Sequence, residues 1–147
     1  MKAAQGGLGR VFVLRLEDGD RLPDCLERFV AEQGVERAFC AMLGGVGSGR
    51  LIVGPEDGQA RPAQPMNLPI SGVQEALAVG TVFPDQNGRP KLHMHGAMGR
   101  AGQTITGCMR AGVDTWQIGE VVIMELTGLT ANRKIDPATG FELLSLD

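Results

Sequence analysis

Two histidines and one cysteine are the residues of this sequence best suited to act together in chemistry. His93 and His95 are two positions apart, and Cys108 follows them beyond a short turn at 99–102. Two imidazole nitrogens and one thiolate are good ligands for Zn²⁺ and acceptable ligands for other late first-row metals. Three protein ligands leave one coordination position open, which is typical of a catalytic or ligand-binding metal rather than a closed structural one.

The spacing around the turn predicts that these three side chains share one face of a hairpin. Residues two apart on a strand point to the same side, so His93 and His95 lie together. If Gly99 pairs with Gly102, His93 lies directly opposite Cys108. Opposed side chains have Cβ atoms roughly 4.5–5.5 Å apart. We therefore expect a divalent metal, with zinc as the first candidate, at His93, His95 and Cys108, provided that no bulge in the turn reverses one strand.

Several alternatives stay open for this cluster. Water is one candidate for the fourth ligand, and a carboxylate from Glu75 or, second, Glu120 is another. Cys108 can also be considered as a nucleophile with His93 as its base, because opposed side chains meet at hydrogen-bond distance. The simplest alternative is that the histidines line a polar face and that Cys108 is a small buried residue. Whether the protein is an enzyme is left undecided.

The elements that must position the cluster are short strands and one helix. Apolar residues recur at helical spacing from Leu22 to Val30, with Pro23 suited to the first turn and Gly34 to the end. The range 54–69, which contains four prolines, is expected to be a surface loop. Strands are predicted at 10–16, 35–46, 50–53, 72–83, 90–98, 103–110, 119–126 and 141–146.

This pattern predicts one α+β domain over residues 1–147, built on a mainly antiparallel or mixed sheet with one main helix. The connections between strands are too short for crossover helices. With 43% hydrophobic residues the chain can bury a core, and its net charge of -3 gives no general attraction to nucleic acid or anionic lipid. Three cysteines and no visible signal peptide or membrane span favour a reduced, cytoplasmic protein.

The sequence resembles the plant and prokaryote conserved (PPC, or DUF296) domain over nearly its whole length. His93-Met94-His95 with Gly99 is similar to the family's H-L-H…L-G signature, and Gly107-Cys108-Met109 aligns with its G-G-H-L segment. Further matches are the ranges 12–20, 44–47, 75–81 and 120–123, and a C-terminal R-x-x-D-x-x-T-G segment at 133–140. Their common order and spacing make the resemblance specific.

The resemblance implies an α+β fold, a homotrimer, and a metal near His93, His95 and the residue at Cys108. The family usually has histidine where this chain has Cys108, which places in doubt any reaction that needs a histidine base there. A small-molecule ligand is a possible further partner. The alternative function is that of a DNA-binding, regulatory protein without catalysis, because bacterial members of the family are often labelled so.

Three other positions carry expectations of their own. The range 87–90, Asn-Gly-Arg-Pro, superficially resembles an AT-hook but is expected to be a hairpin turn, so that nucleic acid is not expected as a partner of this chain alone. Arg133 and Asp136 could form a surface ion pair that fixes the C-terminal segment. Trp116 is expected in the core or in a subunit interface.

Overall fold

One α-helix and ten strands form the described part of the chain, residues 1–146 of a computed structural model. The helix, α1, spans Asp24–Glu32. The strands are β1 (Gly7–Leu16), β2 (Arg21–Leu22), β3 (Ala38–Pro55), β4 (Pro65–Pro69), β5 (Gln74–Pro84), β6 (Pro90–Arg100), β7 (Gln103–Cys108), β8 (Val113–Thr127), β9 (Asn132–Ile135) and β10 (Glu142–Ser145).

The main sheet has the strand order β1-β8-β3-β5-β6-β7, and β2 and β4 are paired with β8 and β3. Its strands pair antiparallel throughout residues 1–146, as do β9 and β10, which form a separate hairpin. Ile52 of β3 also pairs with Cys108 of β7, so that the β3-β5-β6-β7 part of the sheet closes on itself. The predicted fold class, a mainly antiparallel α+β domain with one main helix, is confirmed.

The long strand β3 is the pivot of the sheet. Its first half pairs with β5 and β8, and its second half pairs with β4 and β7. Gly44 and Gly49 have φ values of +141° and +124°. A Cβ at Gly44 would collide with the backbone of β8 at 118–119, and a Cβ at Gly49 would collide with the backbone at 112–113, where β8 begins. Glycine is therefore required at both bends. The sequence predicted two strands, 35–46 and 50–53, where the structure has one bent strand.

The helix covers one face of the sheet and completes the core. Leu26 and Val30 of α1 are fully buried, and they pack in one cluster with inward residues of the strands, among them Met94 and Met98 of β6. Gly34 follows the helix with φ +64°, as predicted for its end. No helix within residues 1–146 is long and apolar enough to cross a membrane.

Three short elements were not predicted. The range 54–69 contains β4, which pairs with the second half of β3 although it is rich in proline. Strand β2 has only two residues, and β9 lies in a polar segment whose alternation is weak. Such short edge elements are defined by their partners rather than by a hydrophobic pattern of their own.

Candidate metal centre

The alternation of β6 separates its chemistry from its core. Leu92, Met94 and Met98 are buried, whereas His93 is half-buried and His95 is exposed on the opposite face. Cys108, the last residue of β7, lies on the histidine face and is 3% exposed. The period of two along β6 therefore places both imidazoles on one side.

The structure corrects the predicted register of this hairpin. Arg100 pairs with Gln103, so that the turn has only two central residues, Ala101 and Gly102, both with positive φ (51° and 78°). Positive φ at both positions is the mark of the type I′ turn, which suits the twist of antiparallel strands. Cys108 consequently lies opposite His95, not opposite His93. The shift is an even one, so the face on which each side chain lies is unchanged.

The three side chains converge. The Nε2 atoms of His93 and His95 are 3.1 Å apart. Two zinc–nitrogen bonds of about 2.05 Å at a tetrahedral angle would hold their nitrogens about 3.3 Å apart, so this separation fits a common metal. One ligand atom from each of His93, His95 and Cys108 lies within 4.8 Å of the other two. A zinc–sulfur bond of about 2.3 Å to Cys108 would complete the set of three protein ligands.

Burial and nearby cations keep His93 neutral. Desolvation is the main cause that lowers its pKa to about 4, and Arg133, Arg110 and His95 lower the pKa further. A neutral imidazole is the form that binds a metal, because a protonated ring has no free lone pair. His93 is thus ready to act as a ligand over the whole neutral range of pH.

Two arginines that the sequence did not associate with the cluster lie beside it. Arg110 donates from Nε to the Cys108 sulfur at 3.2 Å. Arg133 of β9 donates from Nη2 to the carbonyl oxygen and the hydroxyl of Thr81 at 3.3 and 3.1 Å. Thr81 is the residue of β5 that pairs with His93. The position of Arg110 two residues after Cys108 was a usable signal, whereas the placement of Arg133 depends on how the β9-β10 hairpin packs.

The proposed carboxylate ligands lie elsewhere. Glu75 pairs with Gly99, at the turn end of the hairpin. It is four residues along β5 from Val79, the partner of His95, or about 13 Å at the usual rise of 3.3 Å per residue. Glu120 is on β8, and two strands, β3 and β5, lie between it and β6. Neither belongs to the cluster.

One further expectation about these residues is wrong. Arg133 is 4% exposed and bonds to Thr81, so it does not form a surface ion pair with Asp136, which instead accepts bonds from Thr139. Within residues 1–146 the hydrogen bond that the Cys108 sulfur accepts comes from Arg110 rather than from an imidazole. Cys108 as a nucleophile with His93 as its base stays a prediction. Trp116 is 43% exposed and does not lie in the core, whereas its place in a subunit interface stays a prediction.

Comparison with known proteins identifies the family. A sequence profile of the Plants and Prokaryotes Conserved (PCC) domain matches residues 3–127, which include all three residues of the cluster. The chain belongs to this family. The match ends before β9, so the hairpin that carries Arg133 lies outside the matched stretch.

Solved structures share the fold over nearly the whole chain. A metal-containing protein from Archaeoglobus fulgidus is 26% identical with a TM-score of 0.85, and the alignment covers 99% of each chain. A plant- and prokaryote-conserved protein from Pyrococcus horikoshii is 22% identical with a TM-score of 0.86, covering 99% of this chain and 97% of the other. A candidate DNA-binding protein from Bacteroides thetaiotaomicron is 16% identical with a TM-score of 0.79, covering 96% and 97%.

One curated protein is similar in sequence but much longer. The bifunctional protein GlmU of Synechococcus sp. (strain JA-3-3Ab) is 32% identical over 141 residues, which are 94% of this chain and 21% of that protein. The chain thus spans about a fifth of the length of this curated relative.

The segment that resembles an AT-hook is a turn, as predicted. Asp85 accepts hydrogen bonds from the backbone N–H groups of Asn87 and Arg89, and Gly88 has φ +77°. Pro90 begins β6. An AT-hook enters the minor groove as an extended arm, and a turn closed by Asp85 is not one.

Proposed function

We propose that this PCC-domain protein binds a divalent metal, zinc as the first candidate, through His93, His95 and Cys108, and uses the open coordination position to bind a small-molecule ligand. The observation that carries the proposal is the convergence of two imidazole nitrogens and one sulfur within 4.8 Å. The metal would supply a Lewis-acidic site for that ligand. The relative from Archaeoglobus fulgidus, whose name describes it as metal-containing, supports the proposal at 26% identity.

The assembly that we propose is a homotrimer, as the family resemblance implies, and an exposed apolar surface supports self-association. The outer face of the sheet carries large apolar side chains, including Leu77 and Val79, which are 69% and 56% exposed. Val79 pairs with His95, so this surface is continuous with the metal cluster. Large exposed apolar patches mark interaction surfaces, and a second copy on this face would also shield the exposed imidazole of His95.

Metal analysis of the purified protein tests the metal proposal. We expect about one zinc per chain in wild-type protein. His93→Ala and Cys108→Ala should each weaken zinc affinity by more than the 10–100-fold that removal of a supporting residue costs. Cys108→His should keep the metal, because imidazole is an equally competent ligand. Ligation by the two imidazoles and the thiolate is refuted if wild-type protein, refolded with excess zinc and dialysed, retains none, or if Cys108→Ala retains as much as wild type.

DNA binding is the second candidate, and the name of the Bacteroides relative is what favours it. At 16% identity that likeness reaches only the fold, and the net charge of -3 opposes a general attraction to phosphate. A fluorescence titration with duplex DNA at several salt concentrations tests this second role. Saturable binding near physiological salt would support this role, and its absence would end it.

A further inference from the structure

A cavity of about 280 Å³ opens beside the metal cluster. His93 forms part of its wall, together with residues of α1, β6, β9 and β10. Ligand pockets usually measure about 300–1,000 Å³, so the cavity fits a small molecule only. Three cationic side chains line it: Lys91, Arg110 and Arg133.

Arg133 is a buried cation with unused hydrogen-bonding capacity. The residue is 4% exposed, and its Nε has no hydrogen-bond partner. Its Nη2 bonds to neutral oxygens of Thr81, and among residues 1–146 no carboxylate forms a salt bridge with it. A buried charge without a counter-charge is costly. The Arg133 Cζ lies 5.8 Å from the centre of the Phe83 ring, and Glu142 attracts the guanidinium without forming a salt bridge. The Nε–H is therefore the donor that remains for a partner from outside the chain.

Three cations and three carboxylates line the cavity, so their formal charges balance, but the carboxylates differ in how far they are already engaged. Arg110 is close enough to Arg133 that the two guanidinium groups repel each other. Of the carboxylates in the wall, Glu27 is already engaged by the N–H of Leu92 at 2.9 Å and by Lys91 at 3.9 Å. Asp24 and Glu142 remain, and Glu142 attracts Arg133 without reaching salt-bridge distance. A divalent metal on a single thiolate would add positive charge.

We propose that this cavity binds a small oxyanion, a carboxylate or phosphate group, held by Arg110 and Arg133 beside the metal cluster. The planar guanidinium fork matches both kinds of anion, and two forks at one cavity wall define its position and orientation. The proposal deepens the proposed function and rests on it in one respect: it gives the ligand of the metal site its chemical class. Anion binding by the two arginines does not itself depend on a bound metal.

Titration with two anions tests the proposal. Inorganic phosphate and succinate are added separately to zinc-loaded and to metal-free protein in a calorimeter, and the anion that binds identifies the source. We expect saturable binding that Arg110→Gln weakens about tenfold or more, since a hydrogen bond to a charged group contributes that much. Arg110 is exposed, so this variant should fold. Arg100→Gln removes an exposed arginine at the opposite end of β6 and should change nothing.

Two further variants sharpen the result. Glu142→Gln should strengthen anion binding, because it removes a competing carboxylate from the cavity wall. Arg133→Lys keeps the charge but loses the fork and should bind more weakly. If zinc is bound but neither anion is, or if both bind Arg110→Gln as tightly as wild type, the oxyanion site is wrong and the metal proposal stands. If no zinc is bound but anion binding depends on Arg110, the metal proposal fails and the oxyanion site stands.

Discussion

At the scale of single residues, the cluster depends on a balance between burial and charge. His93 is partly buried among cations, and His95 is exposed on the same face. Cys108 is buried, and its sulfur accepts a hydrogen bond from Arg110. The three donors therefore lie in different environments.

The pH response of His93 follows from its environment. Its pKa in the folded protein is lowered from 6.5 to about 4, chiefly by burial. Unfolded chains therefore take up more protons between these values, so stability is fully present above about pH 6.5 and declines as the pH falls toward 4. NMR titration of the metal-free protein should find the His93 ring neutral at pH 5.5, and His93→Gln should flatten the decline in urea stability. A titration midpoint near 6.5 would contradict this account.

At the scale of elements, the β6-β7 turn decides which residues meet. The sequence correctly predicted the two strands, the shared face and the convergence of His93, His95 and Cys108. It did not predict the pairing, because Gly102 fits both a Gly99–Gly102 turn and an Arg100–Gln103 turn. Ala101 does not indicate a type I′ turn in the sequence, because alanine rarely adopts the positive φ that it has here.

Ala101 is consequently a position where the turn can be improved. Its φ of 51° costs an ordinary side chain roughly 1 kcal/mol, whereas asparagine followed by glycine is the preferred pair for a type I′ turn. Ala101→Asn should raise the free energy of unfolding by about 0.5–1 kcal/mol, measured in urea. Gly102→Ala, the matched control, should lower it by a similar amount or more, since Gly102 has φ +78°. A lower free energy of unfolding for Ala101→Asn together with a higher one for Gly102→Ala would show that this register is wrong.

At the scale of the whole molecule, the outer face of the sheet exposes apolar side chains that the single chain does not cover. Alternation along the strands predicted that one face is buried, but it did not show that the other face is also apolar at Leu77 and Val79. Likewise, Arg133 was expected at the surface because its segment is polar. Its burial depends on long-range packing against β5, which sequence spacing does not reveal.

The oligomeric state tests this face. Leu77→Glu places a charge at the centre of the apolar surface and should convert a trimer into monomers, measured by sedimentation velocity. Met66→Glu, an exposed apolar residue on β4, is the control and should leave the assembly intact. A wild-type protein that sediments as a monomer at micromolar concentration would rule out the homotrimer.

The metal at the His93–His95–Cys108 cluster remains the centre of the account, and anomalous diffraction tests it most directly. Crystals of zinc-loaded protein measured on both sides of the zinc absorption edge should show one strong peak per chain. We expect the peak at about 2.0–2.1 Å from one nitrogen of each imidazole and about 2.3 Å from the Cys108 sulfur. A peak bonded to other residues, or ordered histidines with the sulfur turned away and no peak between them, would contradict the account.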